Sequence, residues 1–197
     1  MNILIACEFS GTVRRAFAAR GHTVTSCDLL PADDASPDHI QGDVLALLQA
    51  RGATFDLMVA HPPCTHLAVS GARHFARKQV EQAEALDFVR ALMHCGIPRI
   101  CIENPVSVIS SKIRKPDQII QPWQFGHPEA KTTCLWLTGL PPLTHTHVLA
   151  KPASGRWANQ TPSGQNKLGP SPDRWKKRST TYTGIAEAMA TQWSPQS

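Results

Sequence analysis

The sequence predicts an α/β domain built on a mostly parallel sheet with helices on both faces. Three observations predict it. Short apolar runs recur at Asn2–Cys7, Phe55–Ala60 and Arg99–Ile102, continuous rather than alternating, as strands buried on both faces read. Segments with helical spacing of apolar residues separate these runs. A chain of 197 residues with 42% apolar content is the size of one ordinary domain with a real core.

The elements follow in order. Asn2–Cys7 reads as a buried strand ending in the turn Glu8-Phe9-Ser10-Gly11. Thr12–Arg20 reads as a helix with Val13, Ala16 and Phe17 on one face and Gly21 as its stop. His22–Cys27 alternates like a second strand, with Asp28 at its end. Residues 29–39 carry Pro31, Asp33, Asp34, Ser36, Pro37 and Asp38 and read as a loop. Asp43–Ala50 is helical and Phe55–Ala60 a strand, broken by Pro62-Pro63.

Arg77–His94 reads as a long helix, with Val80, Ala83, Leu86, Val89 and Met93 at helical spacing. Arg99–Ile102 reads as a strand that stops at Glu103-Asn104-Pro105. Thr133–Leu137 fits a strand, and Thr183–Trp193 a closing helix. Between them, residues 140–180 are rich in Pro, Gly, Ser and Thr and hold Lys151, Arg156, Lys167, Arg174, Lys176, Lys177 and Arg178. The expected division is an α/β domain over 1–139, a basic Pro/Gly-rich segment over 140–180, and a helix in 181–197 returning to the first domain. No internal repeat is visible.

Charge and cysteine usage narrow the classes. Net charge is +5 and the pI about 9.0, which suits a polyanionic partner but also many proteins that bind none. None of the six cysteines lies two residues from another, so there is no zinc-type pair and no metal is expected. Most sit in apolar runs, as buried thiols of a reducing compartment do. Met1 to Cys7 lacks the charged start and long apolar stretch of a signal peptide, and no run is long enough to span a bilayer. The expectation is a cytoplasmic protein with no membrane partner.

In an open parallel sheet, ligands bind beyond the carboxyl ends of the strands. The unusual polar groups fall there. Phe9-Ser10-Gly11 is either an ordinary strand-to-helix turn or a place where backbone approaches a ligand, with free N–H groups on the following helix. The Gly-x-Gly-x-x-Gly spacing of dinucleotide sites is absent. Asp28 is placed either to accept ribose hydroxyls or to cap a loop. Cys64 follows two prolines at a strand end, which holds its backbone in few conformations. A rigid, exposed thiol is what nucleophilic attack requires. Glu103-Asn104 offers a carboxylate and an amide at the next strand end, or a turn element.

Taken together, these residues resemble the cytosine-C5 DNA methyltransferase family. Phe9-Ser10-Gly11 looks like its Phe-x-Gly cofactor loop. Asp28 matches the acidic residue that holds the cofactor ribose, and Gly42-Asp43-Val44 the Gly-Asp-Ile element whose carboxylate meets adenine. Pro63-Cys64 with Ser70-Gly71 looks like the Pro-Cys loop and its trailing Ser-Gly, and Glu103-Asn104 like the Glu-Asn-Val element. Five landmarks in family order cover roughly the first half of the chain.

The resemblance implies a Rossmann-like class I methyltransferase fold and S-adenosylmethionine as cofactor. It implies attack of a Cys64 thiolate on carbon 6 of the pyrimidine, protonation of N3 by Glu103, and methyl transfer to carbon 5. Asn104 is expected to position the glutamate and the Pro-Cys loop. A thiolate near neutral pH calls for positive charge near Cys64, with His61, His66 and Arg73 as candidates.

The chain also departs from the family. Its Gln-x-Arg-x-Arg strand is replaced by Glu129-Ala130-Lys131-Thr132-Thr133, where Lys131 stands for one arginine and Thr133 lacks the other's bidentate fork. The closing Gly-Asn-Ser element is absent, with Thr183-Gly184-Ile185-Ala186 in its place. There is no room for a large target-recognition domain. The expected partner is DNA, single-stranded or read with weak sequence specificity, and a partner protein would supply targeting. Ser70, Lys131, Arg174, Lys176 and Arg178 are the expected substrate contacts, with Trp157 and Trp175 to stack bases. The bland alternative for the basic segment is a disordered tail.

Three other readings stay open. The same chemistry serves a free pyrimidine nucleotide or RNA. His61-Pro62-Pro63-Cys64 also resembles the Asp-Pro-Pro-Tyr loop of amino-methyltransferases, with both key residues replaced. A relative that binds cofactor or nucleic acid without turnover has no need of Cys64 or Glu103.

Overall fold

The computed structural model describes residues 1–71, 77–163, 166–169, 171–172 and 174–195, apart from the side chain of Trp175. Its elements are β1 (Asn2–Ala6), α1 (Thr12–Ala18), β2 (Thr23–Asp28), β3 (His39–Gln41), α2 (Val44–Arg51), β4 (Leu57–Ala60) and α3 (Gln79–Met93). There follow β5 (Ile100–Pro105), α4 (Ile109–Lys112), β6 (Gln118–Ile120), β7 (Thr133–Thr138), α5 (Arg174–Ser179) and α6 (Thr183–Trp193).

The strands form one sheet in the order β3-β2-β1-β4-β5-β7-β6. From β3 to β5 every pairing is parallel, while β7 runs antiparallel to both β5 and β6. This is a Rossmann-like, mostly parallel sheet, with the strand order reversing between β1 and β4.

Alternate residues of the central strands feed opposite cores. Ile3, Ile5, Leu57, Val59 and Cys101 face one side, where Val13 and Phe17 of α1 and Met189 and Trp193 of α6 pack. Leu4, Ala6, Met58, Ala60, Ile100 and Ile102 face the other, against α2 and α3 through Leu47, Leu86, Val89 and Leu92. A strand covered on both faces has no room for a polar residue, hence the continuous apolar runs. The closing helix α6 lies along α1. No helix among the described residues is long and apolar enough to cross a membrane.

Two strands fall where the sequence reading named none. β3 and β6 have three residues each and lie at the sheet's two edges, too short to show a period. β5 does not stop before Glu103. It continues to Pro105, because β7 pairs with it from Ile100↔Thr138 to Pro105↔Thr133. Glu103 and Asn104 are therefore strand residues.

Candidate active site

The carboxyl ends of β1, β2, β4 and β5 converge on one edge of the sheet. At the end of β1, Cys7 has φ 58°, a left-handed backbone without glycine, although its N–H bonds to the Cys27 carbonyl at 2.7 Å. Such a conformation costs about 1 kcal/mol or more and collects at ligand sites. Burial pushes the Cys7 thiol far up, with the charges of Asp28, Cys27 and Asp43 adding to it.

The next turn differs from expectation. Glu8 is buried, and its carboxylate accepts from the N–H groups of Val13 at 2.6 Å and Arg14 at 3.2 Å. The α1 N–H groups expected to be free for a ligand are thus partly taken by the chain itself. Phe9 is buried, and Gly11 has φ 68°. A Cβ on Gly11 would sit 2.7 Å from Nη2 of Arg14 and 2.8 Å from Oδ2 of Asp34. The Arg14–Asp34 and Arg15–Asp34 ion pairs, both 2.5 Å, occupy that space.

Asp28 is half-buried at the end of β2, and its Oδ1 accepts from Leu30 N–H at 2.9 Å. Burial raises its carboxyl, against the Leu30 amide and the charges of His39 and His61. Leu29 beside it is 73% exposed, an apolar surface without cover. Asp43 is the N-cap of α2, accepting from Leu45 N–H at 2.8 Å.

The β4 and β5 ends meet through their register. Met58 pairs with Ile100, Val59 with Cys101 and Ala60 with Ile102. The same offset sets His61 beside Glu103 and Pro62 beside Asn104. Nδ1 of His61 lies 3.1 Å from Oε2 of Glu103, with the two side chains only 8% and 14% exposed. Nδ2 of buried Asn104 donates to the Pro62 carbonyl at 2.8 Å. Nε2 of His61 and Oδ1 of Asn104 are buried without a partner among the described residues. Burial acts to raise the Glu103 carboxyl, yet the hydrogen bond and charge of His61, with Lys131 and Thr133, hold it below its ordinary value.

Cys64 and Pro63 are exposed. The chain after Cys64 is stitched to the segment leaving β5, with Val69 N–H on the Val106 carbonyl at 3.0 Å and Val108 N–H on that of Leu67 at 2.9 Å. Ser70 is exposed on the same turn. Enough protein surrounds the Cys64 sulfur that loss of water raises its thiol, and Glu103 adds to this. Arg178 and Lys131 pull it down and do not win.

The expected cationic setting of Cys64 is corrected in two ways. The positive charges come from Lys131 and Arg178, since His61 is committed to Glu103 and Nδ1 of His66 is buried without a partner. The thiol is also raised, not lowered. Arg73 lies outside the described residues.

The basic segment folds back over this edge. Nζ of Lys131 donates to the Arg178 carbonyl at 2.8 Å and lies 5.7 Å from the Tyr182 ring centre. Lys176 pairs with Asp33 at 2.6 Å and sits 5.7 Å from the centre of the Phe9 ring. Nε of Arg174 is buried without a partner among the described residues. Trp157 is buried, while the side chain of Trp175 lies outside the description. Sequence reasoning missed the role of Glu8. The signal was an acidic residue five positions before a helical N–H, in a turn without another cap. No group of three metal-ligating side chains stands among the described residues.

No family model matches the chain. No curated protein matches it. Among solved structures, the chain is similar to a mutant DNMT2 of Spodoptera frugiperda, with a TM-score of 0.47 and 13% sequence identity. The match covers 75% of this chain and 54% of that one, so the chain spans about half that structure's length.

Proposed function

We propose that this chain is an S-adenosylmethionine-dependent methyltransferase that acts on carbon 5 of cytosine in DNA through a covalent Cys64 adduct. The observation that carries the reading is the register of β4 on β5. It sets the Pro62-Pro63-Cys64 loop, the His61–Glu103 pair and the Asn104 tether at one point of a parallel sheet.

The cofactor residues fit in part. Asp28 offers a half-buried carboxylate, held by the Leu29 and Leu30 amides, at the strand end where ribose hydroxyls are accepted. Exposed Leu29 and Leu30 offer apolar surface beside it for the adenine. Gly11 gives no support, because Arg14, Arg15 and Asp34 explain its lack of a side chain. When bound, the cofactor supplies an electrophilic methyl group.

At rest Cys64 is a thiol and Glu103 a carboxylate. Attack on carbon 6 calls for a thiolate and an acid near N3. The two states differ only in where one proton sits. The thiol proton passes to Glu103 and from it to N3 as the sulfur–carbon 6 bond forms. The carbon 5–carbon 6 π electrons shift toward carbon 4, and those of the carbon 4–N3 bond settle on N3. Carbon 5 then has enamine character and takes the methyl group. Loss of the carbon 5 proton re-forms the ring double bond and expels the Cys64 thiolate, and N3 releases its proton. Asn104 holds the loop through the Pro62 carbonyl, and His61 fixes the Glu103 carboxylate.

Trapping with DNA containing 5-fluorocytosine tests the proposal, because fluorine cannot leave carbon 5 as a proton does. A covalent adduct that disappears in Cys64→Ser is expected. Cofactor retention with no adduct and no turnover on DNA, RNA or free nucleotides assigns the chain to binding alone and overturns the proposal. An adduct with RNA or nucleotide only keeps the chemistry and replaces the substrate.

A further inference from the structure

Away from Cys64, the short helical turn Pro122–Gln124 with Gln121 before it, Ala130 ahead of β7, and the loop after β7 border a cavity of about 300 Å³. Its walls include Gln121, Trp123, Ala130, Lys151, Arg156 and Trp157. The two indoles lie nearly parallel, 11° apart in plane with ring centres 6.1 Å apart. Trp157 is buried and half-buried Trp123 stands against it, so the inner ring braces the outer one.

The backbone around them is fixed. Leu149 N–H donates to the Trp123 carbonyl at 2.9 Å, and Trp157 N–H to Oε1 of Gln160 at 3.0 Å. Asn159 clasps Ala130, accepting its N–H at 3.0 Å and donating to its carbonyl at 2.8 Å.

The charge is one-sided. Lys151 is exposed and has no ion-pair partner among the described residues. Arg156 is exposed and donates to the Pro162 carbonyl at 3.1 Å. Among the described residues, no carboxylate lines the cavity. The nearby Glu129 is turned to the Tyr182 hydroxyl and Asn159. Residues 140–180 carry seven Lys and Arg against one acidic residue, Asp173, so this stretch holds more than the whole chain's +5.

A planar aromatic surface beside unpaired cations recognises a flat, π-rich group linked to an anion. We infer that this cavity is a stacking site for one unpaired nucleotide of a single nucleic-acid strand. Trp123 takes the base, and Lys151 and Arg156 take its phosphates. A duplex is excluded as the ligand here, because its bases are stacked on one another and offer no free face. Ala130 forms part of the wall, and the charge of its neighbour Lys131 reaches both Glu103 and Cys64. The cavity wall and a charge felt at Cys64 thus lie on neighbouring residues of one segment. Binding at the cavity stands apart from the methyl-transfer reading; only the identity of the base at Cys64 rests on it.

The test is fluorescence anisotropy of a labelled single-stranded DNA 12-mer, with the same sequence as RNA and as a DNA duplex. It is run without methyl donor and in Cys64→Ser protein, so that failure of methyl transfer leaves it unaffected. Saturable binding of the single strand is expected. Trp123→Ala is expected to weaken it about tenfold, the scale of one lost base–aromatic stack. Lys151→Glu weakens it and flattens its salt dependence. Trp123→Phe restores most of the affinity. Because Lys151 is exposed, its variant keeps the test decisive should Trp123→Ala fold poorly. Equal dependence of DNA and RNA strands on Trp123 supports a stacking site indifferent to the sugar. Duplex binding as tight as single-strand binding overturns the inference, as does single-strand affinity unchanged in both variants.

Discussion

Replacing His61 by alanine isolates the pair that holds Glu103 at the sheet edge. The side chains of His61 and Glu103 are 8% and 14% exposed, and their contact is 3.1 Å. Removing one partner of a buried charged contact leaves the other without compensation, at a cost of about 3 kcal/mol. For a chain of this size that lowers the melting temperature by about 6–12 °C. The sign with pH follows from the depressed Glu103 carboxyl. In the wild type its stabilising contribution is present above the ordinary carboxyl value of 4.5 and is lost as pH falls through the lower folded value. In His61→Ala, burial is opposed only by Lys131 and Thr133, so the folded carboxyl rises and acidification relieves the variant. The gap between the two proteins is widest near neutral pH and narrows below about pH 4. Thermal melts at both pH values measure it. A neutral-pH melting temperature within about 2 °C of wild type, or a gap independent of pH, refutes the reasoning.

Gly184→Ala tests the start of α6. Alanine favours a helix by about 1 kcal/mol, but its Cβ would lie 2.0 Å from the Phe125 carbonyl oxygen, so urea unfolding is expected to show a net loss, and a gain rejects the packing. The alkylation rate of Cys64 with iodoacetamide is expected to climb only above the ordinary thiol range, and Glu103→Gln to speed it about 3- to 10-fold at pH 8 by removing a neighbouring negative charge. An unchanged rate in that variant means Glu103 does not act on the thiol. Glu8→Gln is expected to cost about 1–2 kcal/mol in urea unfolding, through the lost charge on the α1 N–H groups. A variant as stable as wild type removes Glu8 as the cap.

The parts legible in the sequence are those whose signal is local. Ile3 to Ala6, Leu57 to Ala60 and the Thr183–Trp193 helix announce themselves by burial on two faces or by helical spacing. The edge strands His39–Gln41 and Gln118–Ile120 do not, since three residues carry no period. The extension of β5 to Pro105 depends on β7, which pairs from almost thirty residues further along the chain. The site divides in the same way. Cys64 is marked by the prolines before it, but the His61–Glu103 contact needs the strand register, a 42-residue offset that no local pattern contains. The raised thiol of Cys64 likewise arises from crowding and from Glu103, both tertiary.

Glu8 has an effect beyond stabilising a helix. A helix start carries partial positive charge, and sheets of this kind commonly offer that charge to a ligand at the first turn. Here a buried carboxylate stands on it already. The turn thus has the Val13 and Arg14 amide donors spent inside the chain, and the cations beside it, Arg14 and Arg15, are both paired with Asp34. A ligand lying at this turn meets a helix start whose hydrogen bonds the fold has already used, so its grip there comes from other groups.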